Sequence, residues 1–155
     1  GAGRRHGRGR KVRKMRAETR LRVRYAETDQ MGIAHHASYA VWFEAARTEF
    51  LRRAGMPYSE VERRGVRMPL YSLTTRFLAP ARFEDELSVV TRIKRLTRVR
   101  LVLGYEVYRA RDGALLATGE TCHAFTDKEL RPVDLRKTAP DLYALLEESA
   151  ENPRE

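Results

Sequence analysis

The chain has 155 residues, 42% of them hydrophobic, and a formal net charge of +10. That length suits one domain with a real core, and no apolar run approaches the roughly 20 residues that span a bilayer. The single cysteine, Cys122, excludes an intrachain disulfide and fits a reducing, cytoplasmic setting.

The charge is unevenly placed. Residues 1–24 hold eleven of the lysines and arginines against one acid, Glu18, whereas residues 25–155 hold twenty of each sign. A stretch as basic and glycine-rich as residues 1–18 cannot bury enough apolar surface to fold alone. It reads as a solvated tail ahead of one domain at 19–155. Phosphate neutralisation would let such a tail touch RNA or DNA, but the neutral body argues against nucleic acid as the main partner.

The first strand signal is the alternation of Leu21, Val23 and Tyr25 with Arg20, Arg22 and Arg24. Asp29-Gln30-Met31-Gly32 then reads as a turn. A helix is expected from Ser38, as its N-cap, to Ala54, stopped by Gly55 and Pro57. Tyr39, Trp42, Phe43, Ala46 and Phe50 form its apolar stripe. From Ala37 to Ala46 only Ser38 and Glu44 are clearly polar, so the helix is expected to be wrapped on most sides. Ser59-Glu60-Val61-Glu62 matches a capping box opening a short helix that Gly65 closes. Four further strands are expected at 69–78, 87–93, 99–107 and 115–125, with turns at Leu96-Thr97-Arg98 and Asp112-Gly113. A C-terminal helix follows, with Thr138 as its cap and Pro140 in its first turn. The expected class is α+β: a five-stranded antiparallel sheet wrapped around a long central helix, with a short second helix and a C-terminal helix. One helix covers one face of such a sheet, and open edges are a liability. A homodimer at least is therefore expected, with sheets joined or helices packed across a two-fold axis.

The segment Tyr25-Ala26-Glu27-Thr28-Asp29-Gln30-Met31-Gly32-Ile33-Ala34-His35-His36-Ala37-Ser38-Tyr39, with Phe77-Leu78-Ala79-Pro80-Ala81-Arg82 later, resembles the hotdog-fold acyl-CoA thioesterases. The 4-hydroxybenzoyl-CoA thioesterase and YbgC-like branch is the nearest in pattern, and the likeness covers roughly residues 19–136. It implies an acyl-CoA substrate, homodimers that often pair into a tetramer (a dimer of dimers), and active sites at the dimer interface. It places the catalytic aspartate on Asp29, the branch's histidine on His36, and an oxyanion-binding backbone amide near Arg67 or Met68. The family's frequent asparagine is replaced here by Ala37.

The chemistry agrees with that mapping. A thioester carbonyl is a good electrophile and the thiolate leaves readily. Hydrolysis then needs a nucleophile or general base, plus donors for the developing oxyanion. Asp29 can attack carbon or activate water, with His36 as its assistant. No organic cofactor is required. Tyr39, Trp42, Met68 and Phe77 are candidate acyl-pocket residues, and Arg95, Arg98 and Arg100 are candidate partners for CoA phosphates. Each has a plainer reading: Asp29 as a turn residue, the aromatics as core, the arginines as a wet face. His35, His36, Cys122 and His123 raise the question of zinc. Adjacent strand residues face opposite sides, so no metal site is expected. Cys122 is expected to be buried, and Glu49 to pair with Arg52 or Arg53. The competing functions are a hotdog hydratase or dehydratase, whose usual signature is not the Asp29–Gly32 turn, and a nucleic-acid-binding module using the tail.

Overall fold

The structure, a computed structural model, describes residues 15–150. Alternating apolar residues produce five strands: β1 (Arg16–Arg22), β2 (Leu70–Phe77), β3 (Glu86–Leu96), β4 (Arg100–Arg109) and β5 (Leu115–Ala124). They form one antiparallel sheet in the order β1-β3-β4-β5-β2. The helices are α1 (Ser38–Ala54), α2 (Tyr58–Arg63), α3 (Leu135–Thr138) and α4 (Pro140–Ser149). Leu87, Val89 and Ile93 of β3 and Leu101, Leu103, Tyr105 and Val107 of β4 are buried on the face that holds α1. Leu142 and Leu146 of α4 are buried in the same core, with α4 packed against β3. This is the expected hotdog arrangement.

Several local expectations shift. The basic tail falls mostly outside the described residues, but β1 already begins at Arg16, and Ala17 is buried in it. Tyr25 lies beyond β1 in a 3-10 turn (Tyr25–Glu27) and is exposed. Ser38 is the first residue of α1 rather than its cap, because its hydroxyl donates to the Glu27 carbonyl at 3.0 Å. The short helix starts at Tyr58 after Pro57, and α4 starts at Pro140 after Ala139, so neither Ser59 nor Thr138 caps a helix.

The long helix is covered on one side only. Tyr39, Trp42, Phe43, Ala46, Phe50 and Leu51 are buried, while Val41, Glu44, Ala45 and Thr48 are exposed. A single sheet reaches only one stripe of a helix, so the expected wrapping on most sides is not met within one protomer. Glu49 pairs with Arg52 at 2.6 Å and with Arg53 at 2.8 Å, and these hydrogen bonds pull its carboxyl down to about 2.

α1 lies close to the sheet because of Gly119. A Cβ there would sit 2.5 Å from the Phe43 ring and 3.1 Å from the Thr74 carbonyl. Phe43 can then stack on Tyr105, with centroids 4.3 Å apart and planes at 14°. From Tyr105 a buried chain of hydrogen bonds runs across β4 and β5. Arg47 can only donate and the Met68 carbonyl can only accept, so the direction of every link is determined. Arg47 donates to the Tyr105 hydroxyl (3.3 Å), which donates to Thr121 (2.7 Å). Thr121 donates to His123 Nε2 (2.9 Å), and His123 Nδ1 donates to the Met68 carbonyl (3.2 Å). Burial, helped by the nearby Arg47 charge, pushes His123 from 6.5 down to about 4. His123 faces the core, whereas Cys122 is half-buried on the outer face of the sheet and not in the core as expected.

Two outcomes follow from this packing. Gly119→Ala forces Phe43 or the backbone to move and should cost about 1–3 kcal/mol in urea unfolding, with the native fold retained. The folded state keeps His123 neutral while the unfolded ring takes up a proton near pH 6.5. Its contribution to stability is therefore full above pH 6.5 and is lost as pH falls towards about 4. Unfolding free energies measured from pH 7 to 4.5 should fall more steeply for the wild type than for His123→Gln, by up to about 3 kcal/mol.

Candidate active site

The segment from Glu27 to His35 folds back on itself as a small antiparallel loop. The Glu27 carbonyl accepts from the His35 N–H at 2.7 Å, and Asp29 N–H donates to the Ile33 carbonyl at 2.9 Å. Thr28 and Ala34 form the bridge between these two rungs. At the tip, Gly32 N–H donates to the Asp29 carbonyl at 2.9 Å, and Gly32 takes a φ of 80°. The loop is held to the 79–82 segment by Ala34 N–H, which donates to the Ala81 carbonyl at 2.8 Å.

Asp29 does serve the turn: its Oδ1 accepts from Met31 N–H at 2.8 Å. That bond orients the carboxylate, and its Oδ2 has no hydrogen-bond partner among the described residues. Asp29 and His36 line one groove of about 450 Å³ together with Met31, Ile33, Tyr39, Phe77 and Leu78. The Tyr39 and Phe77 rings meet edge to face with centroids 5.0 Å apart. Burial raises the Tyr39 phenol above its usual value of 10.0. The groove therefore has apolar walls and presents one carboxylate and one imidazole.

His35 stands on the other side of the loop, beside Glu27, Ser38 and Val41. Its Nδ1 accepts from Ala37 N–H at 3.0 Å, and its ring stacks on His36 with centroids 4.0 Å apart. His36 is thus supported from below by its neighbour.

The other candidates divide. Trp42 is 3% exposed and does not line the groove; it is core, and its Nε1 donates to Glu27 Oε2 at 3.1 Å. The Arg67 N–H is taken by the Thr126 carbonyl at 2.8 Å, so it is not an available oxyanion donor. Met68 N–H has no partner among the described residues, but Met68 lies beside Glu44, Thr48 and Tyr58, away from Asp29 in the same protomer. Arg98 is ion-paired with Asp134 at 3.1 Å. Arg100 sits over the Tyr71 ring, 5.8 Å from its centroid, and joins Arg95 and Val99 around an outer-face pocket of about 670 Å³. Tyr71 and Phe77 stand at opposite ends of β2, roughly 20 Å apart at the usual strand rise. The arginine pocket and the Asp29 groove are thus separate features of one protomer.

Sequence reasoning missed Glu27, which is 8% exposed. Its carboxylate accepts from Arg24 N–H (2.8 Å), the Arg24 guanidinium (3.0 Å) and Trp42 Nε1 (3.1 Å). Burial pushes the carboxyl up, but those three bonds outweigh it and hold Glu27 below the ordinary value of 4.5. Nothing in the sequence pairs residues 27 and 42.

A long helix laid on a sheet of order 1-3-4-5-2, with a carboxylate-bearing turn at the helix start, is the hotdog thioesterase architecture. Residues 23–148 match the thioesterase-like superfamily, and the chain belongs to it. The putative acyl-CoA thioesterase YneP of Bacillus subtilis is 35% identical over 130 residues, covering 83% of this chain and 94% of the relative. The acyl-CoA thioester hydrolase YbgC of Escherichia coli is 33% identical over 119 residues, covering 76% and 88%. A solved DHNA-CoA thioesterase from Staphylococcus aureus superposes with a TM-score of 0.80 at 30% identity, covering 84% of this chain and 87% of that one. No helix among the described residues is long and apolar enough to cross a membrane.

Gly32 tests the turn directly. Nothing lies within 4 Å of a Cβ placed there, so Gly32→Ala suffers only from its φ of 80°. It should lower stability by about 1 kcal/mol in urea unfolding.

Proposed function

We propose that this protein hydrolyses acyl-CoA thioesters, with Asp29 as the reacting carboxylate and His36 as its assistant. The observation that carries the reading is the placement of Asp29. One oxygen is held by Met31 N–H, the other has no partner among the described residues, and Asp29 lines an apolar groove. The acyl chain lies against Tyr39 and Phe77, with its carbonyl carbon at Asp29. Oδ2 can attack that carbon, giving a mixed anhydride as CoA leaves as thiolate; water then cleaves the anhydride and restores Asp29. Alternatively Oδ2 takes a proton from water as the water attacks the same carbon. In both routes the products are the free acid and CoA. His36, at the groove's rim, donates to the departing sulfur.

The site draws its second wall from another copy of the chain. β2 is an edge strand bearing Leu70 (44% exposed), Tyr71 (54%), Leu73 (38%) and Phe77 (51%). The exposed stripe of α1 adds Val41 and Ala45. Antiparallel pairing of two β2 edges closes both sheets into one and removes the exposed edge. It brings the Met68 end of one copy beside the Phe77 end of the other. The open N–H of the partner's Met68 then serves as oxyanion donor, and the Arg95 and Arg100 pocket receives the CoA phosphates. Arg98 stays with Asp134 and supports the hairpin.

Free-thiol release from acetyl-, palmitoyl- and benzoyl-CoA tests the reading. Wild type should turn over at least one of them, and Asp29→Asn should lose about two orders of magnitude in kcat with its melting temperature kept. Inactivity of the wild type on all three, or full activity of Asp29→Asn, would sink it.

A further inference from the structure

We infer that Glu27 is a positioning residue for the reaction proposed above: its buried carboxylate, clamped by Trp42 and Arg24, sets where Asp29 stands over the groove. The inference rests on that reading of Asp29, and three observations carry it.

The first is the all-donor surroundings of the carboxylate. Oε1 receives Arg24 N–H, and Oε2 receives both the Arg24 guanidinium and the Trp42 indole. Three donors converging on two oxygens suit a carboxylate and no neutral side chain. An amide in its place would turn an NH2 group towards a donor and leave a buried group unpaired.

The second is that the main chain of Glu27 is also committed. Its carbonyl accepts from His35 N–H at 2.7 Å and from the Ser38 hydroxyl at 3.0 Å. Glu27 therefore joins four parts of the molecule: the end of the first strand segment, the return limb of the loop, the first turn of α1, and Trp42 one turn further along. Asp29 is two residues on: its N–H donates across the loop to the Ile33 carbonyl, its carbonyl accepts from Gly32 N–H, and Thr28 just before it is tied back to the Tyr25 carbonyl. The loop tip itself is exposed at Gln30, Met31 and Gly32. Asp29 therefore takes its position from two fixed points, the Ala34 tie to the Ala81 carbonyl and the base of the loop, and Glu27 is that base.

The third is orientation. Glu27 lines the surface on the far side of the loop from the groove, with His35 and Ser38, while Asp29 and His36 face the groove. Glu27 does not touch a substrate lying in the groove. Its effect on rate is exerted through the position of Asp29 and not through substrate binding, so it belongs in kcat. Displacing a reacting carboxylate by about 1 Å is enough to cost up to about a hundredfold in rate.

The test uses the acyl-CoA that wild type hydrolyses fastest among acetyl-, palmitoyl- and benzoyl-CoA, with melting temperatures measured in parallel. Glu27→Gln should lower kcat at least about tenfold with KM within about twofold of wild type. Trp42→Phe keeps an aromatic ring at the site but removes the N–H and part of the buried ring, so it lowers the melting temperature as Leu142→Ala does; unlike Leu142→Ala it should also lower kcat per folded molecule about threefold to tenfold, again with KM kept. The double variant should be no slower than Glu27→Gln alone, because both changes release the same clamp. Leu142→Ala, in α4, is the stability control: it lowers the melting temperature and leaves kcat per folded molecule unchanged. Should Glu27→Gln fail to fold, Trp42→Phe decides the matter. A wild-type kcat in folded Glu27→Gln or Trp42→Phe, while Asp29→Asn is dead, overturns the positioning role and leaves the proposed reaction standing. A wild type inert towards all three thioesters removes the reaction, and the role with it.

Discussion

The contact between α1 and the sheet is the constraint on which the rest depends. Phe43 can lie on Tyr105 only because residue 119 has no side chain. That fixes the depth of the helix over β4 and β5. Trp42, the next residue back, then presents its indole N–H to Glu27 at the edge of the buried surface. The base of the loop bearing Asp29 is joined to the helix through that bond and through Ser38, and its return limb is joined to Ala81. A deeply buried packing contact and a half-buried carboxylate at the surface are therefore parts of one chain of cause. The apolar packing supplies most of the stability. The polar bonds at the helix start supply direction.

The buried polar chain from Arg47 to the Met68 carbonyl has a related effect at the other end of the sheet. It ties α1 to the residues entering β2 through His123, which burial and the nearby Arg47 charge keep neutral in the core. Its end point is the same segment whose Met68 N–H remains open. Both ends of the proposed catalytic assembly, the carboxylate loop and the entry to β2, are thus referred to one helix. Two copies paired along β2 would bring these two ends together, which gives the exposed apolar edge and the uncovered stripe of α1 a common explanation.

Much of this was legible in the residues. Strict alternation in β3 and β4 marks them, since each buries one face against α1. The aromatic stripe of α1 points to the sheet, and the Asp29–Gly32 turn is visible as a turn in its residue types alone. What was hidden depends on tertiary contact. Trp42 has the same apolar look as Phe43, and only its indole N–H meeting Glu27 separates an anchor from a pocket wall. The wrapping of α1 was overread because sequence periodicity counts apolar residues and cannot tell sheet contact from a surface left for another copy. Arg98 and Arg100 are two residues apart on one hairpin, yet Asp134 from a distant segment occupies the first and not the second. Helix starts were displaced wherever Ser38, Ser59 or Thr138 had a better partner or a proline set the first turn.

The central claim is that a thioester carbonyl meets Asp29 in the Tyr39–Phe77 groove. The direct measurement is a crystal structure of Asp29→Asn soaked with a non-hydrolysable thioether analogue of an acyl-CoA. The account predicts the acyl chain between Tyr39 and Phe77, with the atom replacing the carbonyl carbon in contact with residue 29. An analogue bound with its acyl chain elsewhere, leaving that groove empty, would contradict it.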